Sequence, residues 1–338
     1  MTKMRSVLLG ILILGLPVWA QATTYYIDDA GSNANAGTST AAPWLTWAHA
    51  FSRSTCSDTL IAMDGTYTRS RNGAFSLSKV CSVGTVYKVI GQNERRAFIS
   101  GDGYAAPLLI RNSAYITVQG LRVKNVDNAR GIITSNVMVS SSNHITLKRL
   151  LITHNNRYFN DHLVQLTNSP YSLLEENELY YFHRHGILLY GNSNSVVRRN
   201  YCHARNYADI SGGYVSSSGA TTTGDDCIVI YPGSNNIIEN NISDGRMLKG
   251  FSVQANGTSV GNKFYGNIAL GSIMGITLDA RGAGIAQMPR DTVIDNMVVI
   301  SPLNVGIRSR GAKNTRCNQC MVLSGANGFV VDSNVSTP

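Results

Sequence analysis

The 338-residue chain is 43% hydrophobic and 14% charged, and 29 Lys and Arg against 20 Asp and Glu give a formal net charge of +9. Beyond the first 22 residues no stretch is apolar enough to span a bilayer, and the absence of a dense Lys/Arg stripe with interleaved aromatics argues against nucleic acid. The net charge, +7 once Lys3 and Arg5 are removed, suits some other polyanionic partner.

Lys3 and Arg5 precede an apolar run that ends at Ala20, Gln21 and Ala22, the pattern of a cleaved export signal over residues 1–22. The expected location is secreted or periplasmic. Six cysteines fit an oxidising compartment and allow up to three disulfides. Residues 23–107 read as an N-terminal cap and the first coils of a repeat. From Pro43 to Phe51 the spacing puts Trp44, Trp47, Ala48 and Phe51 on one side of a short helix, placed to plug an open end. Cys56 and Cys81 flank the first expected strands and are placed to tie this cap to the first coil.

Residues 108–338 repeat one phrase: a short apolar strand, a Gly/Asn/Ser turn, a second strand, an asparagine and a third strand. Copies open at Gly186, Cys227, Gly250 and Gly275. Three strands per short repeat with polar turns are the signature of a β-solenoid. Aligned, the first strands give an inward column of Val137/Val139, Val164/Leu166, Ile187/Leu189, Ile228/Ile230, Phe251/Val253, Ile276/Leu278 and Phe329/Val331. After the second strands come Asn177, Asn200, Asn241, Asn267, Asn296 and Gln319, read as an amide ladder running from coil to coil. These columns resemble the right-handed parallel β-helix proteins of the pectate-lyase superfamily. The implied fold is all-β, a right-handed parallel β-helix with a short N-terminal capping helix.

Two excursions break the repeat. Gly186 and Cys227 are 41 residues apart where neighbouring copies are 23 apart, which places an insertion near residues 206–224. A smaller excursion spans residues 281–291. Cys317 and Cys320 bracket a turn without a second ligand pair, so they read as structural and not as a zinc site. The last residues stop one strand into a new coil, so the expectation is a truncated or uncapped C-terminal end.

The same alignment gives a polar column just ahead of the first strands: His162, His185, Asp226, Lys249 and Met274, with Asp161, Arg184 and Asp225 one position earlier. Neighbouring coils lie about 4.8 Å apart, so these residues form one patch beside the long insertion. The competing structural reading is a surface ion pair between Asp226 and Lys249, worth less than about 1 kcal/mol.

Around Asp225 and Asp226 the segment TGDDCIVI (residues 223–230) resembles the GDDC motif of polygalacturonases, whose aspartates serve inverting hydrolysis. Lys249 stands where that family has histidine, and its NTD motif is missing. Asp225, Asp226 and Lys249 also resemble, in order, the calcium aspartates and base lysine of β-helix pectate lyases, with Asp209 the one further acidic candidate nearby. That resemblance implies Ca²⁺ on Asp225 and Asp226, proton abstraction by Lys249 or His185, and His162 lining the groove. In uronate elimination the C6 carboxylate must be neutralised before the C5 proton can leave. Tyr190 and Tyr231 on adjacent coils are candidate sugar-stacking residues, and Arg308 and Arg310 candidate partners for substrate carboxylates. The expectation is a monomeric lyase of an acidic polysaccharide. A polygalacturonase-type hydrolase and a noncatalytic carbohydrate-binding or cell-surface protein are the alternatives.

Overall fold

The computed structural model describes residues 21–101, 106–125, 135–154, 162–182, 184–204, 214–215, 221–222, 224–254, 257–280, 287–325 and 327–332. Residues 1–20 of the expected export signal, Asp161, Asp209, most of the insertion and residues 281–286 lie outside the described residues.

Apolar residues alternate along short strands, which among the described residues fold into three parallel sheets of 10, 11 and 10 strands. Opening strands of the repeats form one sheet from Phe75–Leu77 to Asn327–Asp332; middle strands and closing strands form the other two. Each strand pairs with its counterpart one repeat later, which is the topology of a right-handed parallel β-helix. Within the insertion, Tyr214–Val215 and Thr221–Thr222 form a separate antiparallel pair.

The inward column is buried from Val137 through Leu278. Phe329 and Val331 are the exception, 57% and 82% exposed, because the strand Asn327–Asp332 has a neighbour on one side only. At the other end, Thr46 caps the helix Trp47–Arg53, its side chain accepting from His49 N–H at 3.3 Å. Trp47 packs against Tyr67 and Phe75 with ring centroids 5.0 and 4.8 Å apart. The helix starts at Trp47 and not at Pro43, so Trp47 and Ala50 face the core while Ala48 turns out to solvent.

Asn177, Asn200, Asn241 and Asn267 stack as the sequence implies. The amide oxygens of Asn200, Asn241 and Asn267 accept from the backbone N–H of the preceding member at 2.9–3.0 Å, that of Asn177 accepts from Leu150 N–H at 3.0 Å, and each Nδ2 donates to a backbone carbonyl. The ladder stops there. Val298 pairs with Ile268 and Met321 with Val298, which puts Met297 and Cys320 in the ladder column. Asn296 and Gln319 sit one residue earlier in the left-handed turn, at φ 51° and 50°. A second amide pair, Asn236 and Asn262, bonds in the turn ahead of the middle strands.

All six cysteines are paired: Cys56–Cys81, Cys202–Cys227 and Cys317–Cys320. No described helix is long and apolar enough to cross a membrane.

Candidate functional site

In the six-residue opening strands from Ser135–Ser140 to Val305–Arg310 both the second and third residues face the core. Cys227 is bonded to Cys202, and a Cβ added to Gly275 would lie 2.5 Å from the Val299 side chain. Two consecutive inward residues break the alternation, so the first residue shares the outer face with the fourth and sixth. That kink turns His162, His185, Asp226 and Lys249 outward, in direct register on successive strands. Leu188, Val229 and Tyr231 form a small apolar cluster on this outer face, separate from the core.

Asp226 joins its neighbours. Its Oδ2 lies 3.3 Å from His185 Nδ1 and its Oδ1 3.1 Å from Lys249 Nζ, which also lies 3.5 Å from Asp225 Oδ1. Gln254 Nε2 donates to Asp226 Oδ2 at 3.1 Å. The backbone N–H groups of Asp225 and Asp226 both donate to the Arg184 carbonyl, at 2.7 and 2.9 Å. His162 stacks on His185 with centroids 4.9 Å apart and planes 2° from parallel, and Tyr231 meets His185 edge-on at 5.5 Å.

This is not a surface ion pair. The side chains of His185 and Asp226 are fully buried and that of Lys249 is 6% exposed; Asp225, at 16%, is the most open. Burial pushes the His185 imidazole down to about 3, with the Arg184 and Lys249 cations adding to the effect against Asp225. Lys249 goes the other way. Burial favours its neutral form, but Asp226 and Asp225 outweigh that and hold it as an ammonium. Burial also raises both carboxyls, at Asp225 with help from Asp226, while Lys249 opposes.

His185, Asp225 and Asp226 each offer one ligand atom, all within 4.8 Å of one another, a buried group able to hold a metal. The oxygens Asp225 Oδ1 and Asp226 Oδ1 are buried and share the one Lys249 ammonium, with the Arg184 cation also acting on both carboxylates. Two carboxylates and an imidazole, a crowded set of oxygen and nitrogen donors at this spacing, are ligands of the kind that hold a divalent cation.

Of the remaining sequence-predicted residues, Tyr190 pairs in register with Tyr231 but is 45% exposed at the rim, whereas Tyr231 is buried. Arg310 pairs with Asp279 and Arg308 with Thr277, on the second strand beyond Lys249, so both stand apart from the cluster. Sequence reading gave Gln254 no role at Asp226. The signal was present, since it occupies the sixth position of the strand that Lys249 opens. The link between Cys202 and Cys227 carried no such signal, because the insertion separates the two cysteines.

Residues 102–267 match the family model of the right handed beta helix region. Among solved structures, an alginate lyase from Paenibacillus sp. str. FPU-7 is similar at 12% identity and TM-score 0.61, over 85% of this chain and 97% of that one. Pectate lyase Pel9A is similar at 13% and 0.58, over 94% and 82%. A GH136 lacto-N-biosidase from Eubacterium ramulus is similar at 11% and 0.58, over 92% and 67%. No curated protein matches the sequence significantly. At these identities the likeness is one of fold, and with the family match and the three parallel sheets it establishes the chain as a right-handed parallel β-helix protein, an architecture shared with carbohydrate-active lyases and hydrolases.

Proposed function

We propose that this chain is an exported lyase that cleaves a uronate-containing polysaccharide by β-elimination at the His185–Asp226–Lys249 cluster. The observation that carries the reading is the geometry of one buried row, with Asp226 lying 3.3 Å from His185 Nδ1 and 3.1 Å from Lys249 Nζ; burial favours the neutral imidazole, and the aspartates favour the ammonium. Groups whose environments drive them apart in this way make an acid–base pair.

In the proposed reaction the neutral His185 imidazole takes the C5 proton. The C4–C5 double bond forms as the C4–oxygen bond breaks, and Lys249 gives its proton to the departing glycosidic oxygen. Water then returns the proton from His185 to Lys249. Lys249 therefore acts as the acid and His185 as the base, because an ammonium between two aspartates has no lone pair to offer. Asp225 and Asp226 would hold Ca²⁺, which when bound would neutralise the substrate C6 carboxylate. Tyr190 at the rim and Arg308 and Arg310 farther along the same sheet are proposed to bind the polymer, and His162 supports the His185 ring by stacking. Against the hydrolase alternative, the Asp225 and Asp226 ligand atoms lie closer together than the about 6.5–9.5 Å that an inverting pair needs to admit water.

Incubation with a panel of uronate polymers, with calcium and with chelator, tests the proposal. It expects the ultraviolet absorbance of an unsaturated sugar end, lost on chelation. New reducing ends without that absorbance mean a hydrolase, and binding without cleavage means a noncatalytic protein.

A further inference from the structure

We propose that the Cys202–Cys227 disulfide is a positioning device for Asp226, standing in for the short turn that fixes the same position in neighbouring coils; this rests on the cluster being an active site. Next to this coil, the closing strand hands over to the next opening strand almost at once. Glu178–Tyr180 leads to His185, Ile242–Gly245 to Lys249, and Ile268–Leu270 to Met274. Before Asp226 the closing strand ends at Ala204, and the long insertion intervenes. A long connection constrains the strand that follows far less than a tight turn does.

The disulfide supplies the missing constraint. Cys202 lies on the closing strand Tyr201–Ala204, and Cys227 directly follows Asp226 on the opening strand Asp226–Tyr231. Both cysteines are 0% exposed, so the bond crosses the core and fixes the Asp226 strand to the coil before the insertion. In the flanking coils the position of Cys227 is filled by Gly186, Gly250 and Gly275, none of which can be cross-linked. Gly186 lies against the bond, where an added Cβ would come within 3.1 Å of Cys202 Sγ and 2.7 Å of the Cys227 carbonyl oxygen.

The cap disulfide provides a matched control, since Cys56–Cys81 and Cys202–Cys227 have the same sequence separation of 25 residues. Their loop-closure contributions to stability are therefore equal in the chain-entropy account. The paired variants Cys56→Ala/Cys81→Ala and Cys202→Ala/Cys227→Ala are compared in melting temperature, kcat, KM and amide hydrogen exchange. Both pairs are expected to lower the melting temperature. Only the second should lower kcat, by about 100-fold with KM unchanged, as misplacement of a reacting group does. It alone should also speed exchange of the Asp225 and Asp226 amides, which donate to the Arg184 carbonyl. Equal effects of the two pairs on kcat and on those amides would overturn the proposal. Should the second pair fail to fold, Cys202→Val/Cys227→Ala fills the buried volume without the bond, and unchanged exchange at Asp225 and Asp226 in that variant would contradict it. Exchange needs no turnover, so a wild type inactive on every uronate polymer sinks the lyase reading while this comparison still judges the positioning.

Discussion

Lys249 sets the energetics of the cluster, since it is the one ammonium beside two poorly solvated carboxylates. Removing it leaves charge in the interior without a partner, which costs about 3–5 kcal/mol where a surface pair would cost under about 1 kcal/mol. Lys249→Ala should therefore shift the urea midpoint strongly, and a shift typical of surface substitutions would contradict the buried network. His185 predicts a pH dependence. Its folded value of about 3 against 6.5 means that the unfolded chain binds the proton more tightly in that interval. Stability from this group is complete above pH 6.5 and drains away as pH falls toward 3. Asp225 and Asp226, raised in the folded state, act with the opposite sign above 3.8. A difference between wild type and His185→Asn isolates the histidine: in chelated buffer the variant should lose less stability on acidification, and parallel melting curves would contradict this.

Strands and turns carry a separate set of consequences. Asn241 accepts from Asn200 through both backbone and side chain and donates to Asn267 Oδ1 and the Val197 carbonyl, all buried. Asn241→Ala strands several of these groups, at about 1–3 kcal/mol for each left unsatisfied. Asn296→Gly should be near neutral, because an exposed left-handed residue needs a permissive backbone and no ladder. Denaturant midpoints of the two variants check both, and similar losses would contradict the ladder's end at Asn267. Sequence alone placed Asn296 in the ladder because asparagine is favoured at both positions, and only strand register separates them. The polar column was legible for a complementary reason. A regular repeat converts sequence spacing into register, so His162, His185, Asp226 and Lys249 could be aligned before any coordinates. The kink at the second residue was not legible, since Gly186 and Cys227 show no apolar pattern to mark them as inward.

At the scale of the molecule, the solenoid makes a nearly ninety-residue stretch of sequence into one short row of side chains, and the fold could be read because its repeat is local and periodic. Burial of the cluster could not be read the same way, because Asp and Lys ordinarily occupy surfaces and only the assembled outer face encloses them. The basic composition and the three disulfides are what the proposed export and polyanionic substrate call for. The central claim is that His185 and Lys249 divide the proton transfers of an elimination about Asp226. It is tested most directly by the single-turnover rate of unsaturated-end formation from a cleavable uronate oligomer, compared among wild type, His185→Ala and Lys249→Ala. The account predicts a loss of about 10²–10⁴-fold in each variant, the range for removal of a general acid or base. Unsaturated ends formed at the wild-type rate in either variant, or cleavage by wild type that leaves no unsaturated end, would contradict it.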